Sequence, residues 1–67
     1  MELKVNGKAM TTSAESLKDL LSELDIVPGK VAVEVNLSIV KKMDYSDFIL
    51  RDGDSIEIVN FVGGGQI

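Results

Sequence analysis

This chain carries one helical period, and that limits its fold more than anything else. Leu17, Leu20, Leu21 and Leu24 recur at i, i+3, i+4 and i+7, the spacing of a single apolar face. Lys18, Asp19, Ser22 and Glu23 fall on the other sides. At 67 residues the chain is one domain. A domain this small buries only about 60% of the surface that its unfolded chain exposes. It cannot spare its only helix face, so the leucines are read as core rather than as a stripe for a partner. Two start signals compete. Thr12 with Glu15 has capping-box spacing, and Ser16 with Asp19 puts a capping hydroxyl directly before the first leucine. The apolar period begins right after Ser16, which favours a helix from about Ser16 to Leu24.

The remaining segments alternate as strands do. Met1, Leu3 and Val5 point one way, Glu2 and Lys4 the other. Asn6-Gly7 is a strong hairpin signal because both residues tolerate positive φ. Lys8 to Met10, extending toward Thr12, is the return strand. Asp25 to Lys30 is a connection, with Pro28-Gly29 as the turn at its end. Val31, Val33 and Val35 face one side of the next strand, Ala32 and Glu34 the other. Asn36 breaks that strand, and Leu37 to Val40 is a short edge strand. Lys41-Lys42 suits an edge, where charge discourages pairing with other chains. Met43 to Arg51 reads as a helical turn or wrapped loop anchored by Tyr45, Phe48 and Leu50. Asp52-Gly53-Asp54 is a tight turn. As a calcium loop it lacks the other ligand positions and the closing glutamate. In the last strand, Ser55 to Phe61, Ile56 and Ile58 point to one side and Ser55, Glu57, Val59 and Phe61 to the other.

One helix over these strands makes a two-layer α+β domain. If the first and last strands lie side by side they run parallel, joined by a right-handed crossover through the helix. That is a ubiquitin-like β-grasp, a mixed β-sheet with one main helix packed on one face. Residues 1–62 form the domain and residues 63–67 a glycine-rich tail.

Composition narrows the function. With no cysteine there is no disulfide and no thiolate metal site, and no histidine removes the usual general base. An enzyme would have to work with carboxylates, lysines and one tyrosine, in a chain too short for a deep pocket. No metal site and no bound cofactor are expected. A net charge of −4 argues against nucleic acid and suits partners with positive surface. No apolar run approaches membrane-spanning length and no signal-peptide pattern opens the chain, so no membrane partner is expected and the cytoplasm is the expected compartment. Past the last strand come Val62, Gly63, Gly64, Gly65, Gln66 and Ile67. Glycine is thin and costly to order, so this is read as a mobile, extended arm. It is either a frayed terminus or a reactive tail able to thread into another protein's active site. Val59 and Phe61 lie on the sheet face away from the helix. With Val62 they form either a docking patch or local packing.

Several pieces match one family together. They are Ser16-Leu17-Lys18-Asp19-Leu20-Leu21, Val33-Glu34-Val35-Asn36, Ile39-Val40, Leu50-Arg51-Asp52-Gly53-Asp54, Ile56-Glu57-Ile58-Val59 and Phe61-Val62-Gly63-Gly64-Gly65. In order and spacing the chain resembles the ThiS sulfur carriers of thiamin thiazole biosynthesis, within the ThiS/MoaD family. Phe61-Val62 stand where the MoaD side typically carries a Pro-Pro pair.

The resemblance implies a carrier rather than a catalyst. Its C-terminal glycine carboxylate is adenylated by an E1-like, ThiF-like enzyme that uses ATP. Sulfur from a persulfide, supplied by a donor such as a cysteine desulfurase, then replaces AMP and leaves a thiocarboxylate. A ThiG-like thiazole synthase receives the sulfur. The working pair corresponds to Gly64-Gly65, with Gly63 and Gly64 threading the channel and Gly65 adenylated. Gln66-Ile67 depart from this pattern, because they leave Gly65 without a free carboxylate. They are a cap for a tail-processing protease, residues appended in cloning, or a sign that the carrier role is lost; the cap is preferred. A cap points toward processed carriers of other pathways, such as cysteine or homocysteine synthesis. A ubiquitin-like protein modifier and a β-grasp binding module with an inert tail are the other readings.

Overall fold

In the computed structural model, which describes residues 1–61, the Asn6-Gly7 signal is realised directly. These residues take φ of 49° and 83° and turn β1 (Glu2–Val5) back into β2 (Lys8–Thr11). Glu2 pairs with Thr11 and Val5 with Lys8, a two-residue loop whose twist matches that of the strands. The strand alternation holds at Leu3, which is buried, while Met1 is exposed and precedes the strand.

Ser16 caps the helix, as its position before the first leucine predicts. Its Oγ accepts from the Asp19 N–H at 3.1 Å. The other N–H groups of the first turn also find acceptors. Leu17 N–H donates to the Phe48 carbonyl at 2.9 Å, Lys18 N–H to the Tyr45 carbonyl at 3.0 Å, and Leu20 N–H to the Ser16 carbonyl at 3.0 Å. The competing Thr12 does something else: its hydroxyl accepts from Ala14 N–H at 2.9 Å and donates to the Glu23 carboxylate. α1 spans Leu17–Glu23, shorter than expected, with Leu24 as its C-terminal cap. Two bonds close it: Asp25 N–H donates to the Ser22 carbonyl at 3.1 Å and Ile26 N–H to the Leu21 carbonyl at 2.8 Å. The residue in the left-handed region is Asp25, at φ 58°.

The turn expected at Pro28-Gly29 is present, but it needs no left-handed glycine. Pro28–Lys30 is a single 3-10 turn, and Gly29 is not among the positive-φ glycines. A Cβ on Gly29 would lie 3.3 Å from the Lys42 Nζ, the free end of a long side chain that can move aside.

β3 (Val31–Val35) alternates as expected, with Val31, Val33 and Val35 buried. Leu37 does not begin the next strand. Asn36 and Leu37 take φ of 52° and 74° and form the turn into β4 (Ser38–Val40). Leu37 is 88% exposed, so nothing packs on it to hold a conformation that an L-residue disfavours by about 1–2 kcal/mol. Glycine relieves that strain and gives back part of the gain as unfolded-chain entropy. Leu37→Gly is therefore expected to stabilise the domain by about 0.5–1 kcal/mol. A urea titration showing lower stability would mean that the Leu37 side chain packs after all.

The five strands run in the order β2-β1-β5-β3-β4, with β5 spanning Ser55–Asn60. β1 and β5 pair in parallel, and β3 pairs antiparallel with both β5 and β4. This is the expected mixed sheet with β4 at an edge. One face carries α1. Leu3, Leu17, Leu20, Leu21, Val33 and Ile56 are fully buried between the layers. The Met43 to Arg51 stretch supplies buried Tyr45 and Leu50 and partly buried Phe48 to the same core. Burial pushes the Tyr45 phenol above its ordinary pKa of 10.0, so it stays neutral. Asp52-Gly53-Asp54 is a turn, with Gly53 at φ 89°. Its carboxylates are occupied: Asp52 accepts from Glu2 N–H at 2.7 Å, and Asp54 from Arg51 N–H at 2.9 Å and Asn36 Nδ2 at 3.0 Å.

Candidate functional site

Register decides which side chains meet on the sheet face opposite α1. Directly opposed residues of an antiparallel pair share a face. Val33 lies opposite Ile58 and Val35 opposite Ile56, so these look inward. Ala32 lies opposite Val59, and Glu34 opposite both Glu57 and Ile39, so these look outward. Val59 is 59% exposed and Ile39 74% exposed. Phe61 follows the alternation of Glu57 and Val59 and is 47% exposed. Its N–H donates to the Lys30 carbonyl at 2.9 Å, which ties the end of the described chain to the start of β3.

Val59 and Phe61 therefore stand exposed on the face expected of them. Val62, Gly63, Gly64, Gly65, Gln66 and Ile67, named above for docking, threading, activation and removal, lie outside the described residues.

β5 runs past the end of β1, and one side chain makes that possible. Asn6 N–H donates to the Ile56 carbonyl at 2.8 Å. The Asn6 amide then continues the ladder: its Oδ1 accepts from Ile58 N–H at 2.7 Å and its Nδ2 donates to the Ile58 carbonyl at 3.2 Å. The side chain stands in for the next strand residue and covers backbone groups that would otherwise lack partners. Asn6 thus serves both as turn residue and as clamp on the strand that leads to the C-terminus.

Sequence reasoning missed Ala32 as the partner of Val59 and Ile39 as the partner of Glu34. The alternation of Val31, Val33 and Val35 already turned Ala32 and Glu34 outward. No signal within β4 set it against Glu34, because register is a property of the pair. The Glu34–Glu57 juxtaposition was missed for the same reason.

Among the described residues, no group of three or more His, Cys, Asp or Glu is placed to hold a metal ion. No helix of the described residues is long and apolar enough to cross a membrane. An open hollow of about 420 Å³ borders Ile39, Lys41, Asp44 and Phe48 at the β4 edge. What the described site offers is a surface: a strand leading to the C-terminus, flanked by exposed apolar side chains.

Comparison with known proteins gives three findings. The model of the ThiS family matches residues 3–65. Among relatives, the sulfur carrier protein ThiS of Bacillus subtilis is 40% identical over 65 residues, covering 94% of this chain and 98% of the relative. A thiazole synthase of Paramagnetospirillum magneticum is 47% identical over 67 residues, covering 98% of this chain and 21% of the relative. The chain thus spans only 21% of the length of the thiazole synthases that it matches. Among solved structures, the crystal structure of the thiamine biosynthesis protein ThiS from Geobacter metallireducens has a TM-score of 0.82 at 36% identity, covering 97% of this chain and 100% of that one.

Proposed function

The chain belongs to the ThiS family, and from that premise we propose that it is a sulfur carrier of thiamin thiazole biosynthesis, charged on Gly65. The observation that carries this reading is the extent of the family match. It runs through residue 65 and leaves Gln66 and Ile67 outside. A carboxylate is a poor electrophile until one oxygen becomes part of a good leaving group. The Gly65 carboxylate oxygen attacks the α-phosphorus of ATP, and pyrophosphate leaves. A persulfide sulfur then displaces AMP at the carbonyl carbon. A thiol takes up the persulfide's other sulfur as a disulfide, and the thiocarboxylate remains on Gly65.

The machinery for these steps sits on the partners: an E1-like adenylating enzyme and a sulfur donor such as a cysteine desulfurase. Gly63 and Gly64 present no side chain beyond a hydrogen, which suits entry into a narrow channel. A thiazole synthase is the proposed receiver. Support comes from the thiazole synthases in which a segment like this chain makes up 21% of the polypeptide. Gln66 and Ile67 are proposed to be a cap removed by a protease before activation. That feature keeps a processed carrier for another sulfur pathway as the second reading.

Intact mass after incubation with the adenylating enzyme, ATP and a persulfide donor tests the function. A gain equal to the difference between sulfur and oxygen supports the carrier. Attachment to target lysines instead identifies a protein modifier.

Val59, Phe61 and Val62 are proposed to dock the activating enzyme beside its channel. Phe61→Ser is expected to lower kcat/KM for adenylation about tenfold, the loss of roughly 1.4 kcal/mol of apolar contact, without unfolding the domain. Unchanged kinetics would remove Phe61 from the docking surface, and a collapsed fold would assign it to packing.

A further inference from the structure

We propose that the outer sheet face receives an arginine of the activating enzyme, its guanidinium seated across Glu34 and Glu57 with Val59, Ala32 and Ile39 alongside. The inference rests on the carrier reading and names the chemistry of the partner at that surface. Glu34 and Glu57 are direct partners across β3 and β5, two interior strands of the sheet. The backbone bonds at either end of this ladder, Asn36 N–H to Ser55 carbonyl at 2.7 Å and Phe61 N–H to Lys30 carbonyl at 2.9 Å, set its phase. By alternation the two glutamates form a hydrogen-bonded pair, with Cα atoms about 5.5 Å apart and side chains on one face. Like charges directly opposed destabilise a sheet. No side-chain hydrogen bond among the described residues involves either carboxylate. Lys4 stands against Ser55 on the same face, but among the described residues no hydrogen bond ties it to either carboxylate, so the pair is left to solvent and to a partner.

The surroundings select what compensates it. Exposed Val59 and Ile39 flank the pair, and Phe61 continues the apolar row toward the C-terminus. A guanidinium is planar, carries five donors, is weakly hydrated and packs against apolar groups, so one such group can bond both carboxylates while resting on their neighbours. An ammonium is a compact, strongly hydrated point charge that fits an apolar collar poorly. A second copy of this chain is a poor occupant. A two-fold contact would set the same carboxylate pair against itself, in a chain whose net charge is already −4.

The test uses the chain in whichever form, full or ending at Gly65, the organism's own adenylating enzyme accepts. Glu34→Gln with Glu57→Gln keeps shape and removes both charges. The KM for the carrier in ATP–pyrophosphate exchange is expected to rise about tenfold or more with kcat unchanged, and its dependence on salt to flatten. The urea midpoint of the same variant is expected to hold or rise, because a repulsion has been removed. Replacing the responsible enzyme arginine by lysine should reproduce most of the KM loss. If the wild type is activated and the double variant shows a KM within about twofold at every salt concentration, no cation docks here and the carrier reading still stands. A fall in stability together with the KM loss would make the pair structural and overturn the proposal, as would a wild-type dimer that Val59→Ser dissociates. A wild type that no adenylating enzyme activates ends the carrier reading, and this assignment with it.

Discussion

A chain ending at Gly65 is expected to gain a thiocarboxylate, and the chain ending at Ile67 is not. This is the largest effect expected for the protein, close to all or none, because adenylation needs a free α-carboxylate on the residue that enters the active site. In the longer chain the Gly65 carbonyl is an amide, and Ile67 would present a branched side chain where glycines are required. The domain itself should be indifferent to the cut. Its core clusters lie between Leu3 and Ile58 among the described residues, so the urea midpoints of the two forms are expected to agree. Both proteins would be incubated with the activating enzyme, ATP and a persulfide donor and weighed intact. Direct activation on Ile67 would show that no cap needs removal. Failure of both forms with every E1-like enzyme of the organism would leave an inert β-grasp module as the reading.

Loss of the domain is the second large effect, expected from Leu20→Ala or Leu21→Ala. Both side chains are fully buried, in the core cluster that includes Val33 and Ile56. Truncating a buried leucine costs about 2–5 kcal/mol, the lost transfer energy plus the cavity left behind. Domains are stable by only about 5–15 kcal/mol, and one this small sits at the low end. Either variant should keep at most about 3 kcal/mol of stability and, at the upper end of the cost, unfold at room temperature. If denaturant titrations show both losing less than about 1 kcal/mol, the leucine face is not the core. Leu24 is a useful control. It caps the helix rather than continuing it and is only partly buried, so its truncation should cost less.

Much of this architecture is written in short-range chemistry. Asn6-Gly7, Ser16 before Leu17, the leucine period and the alternation of Val31 to Val35 each act within a few residues. Each appears in the structure as its local physics requires. The errors are also instructive. The turn at Pro28-Gly29 is present as a 3-10 turn, but the helix had already ended by Asp25, which takes a left-handed conformation that the sequence did not signal. The Schellman bonds from Asp25 and Ile26, together with the packing of Ile26 on the core, decide where the helix ends. Leu37 looked like a strand residue. The two-residue turn between β3 and β4 leaves it no place in the ladder, so it takes a strained φ in solvent.

The sequence by itself determined the elements, the helix cap, the inward faces of the strands and the glycine pair on which the proposed chemistry depends. Those properties belong to neighbouring residues and survive in any fold that buries the leucines. Only the tertiary structure decided what stands beside Val59. Pairing of β3 with β5 and β4 brings Glu34 against Glu57 and Ile39, and the parallel pairing of β1 with β5 brings the Asn6 amide against Ile58. Register is fixed when the inward face of every strand is buried at once, and a slip of one residue would turn each strand inside out. The outward face is the by-product of that burial, which is why its chemistry is legible only after the core has been assembled.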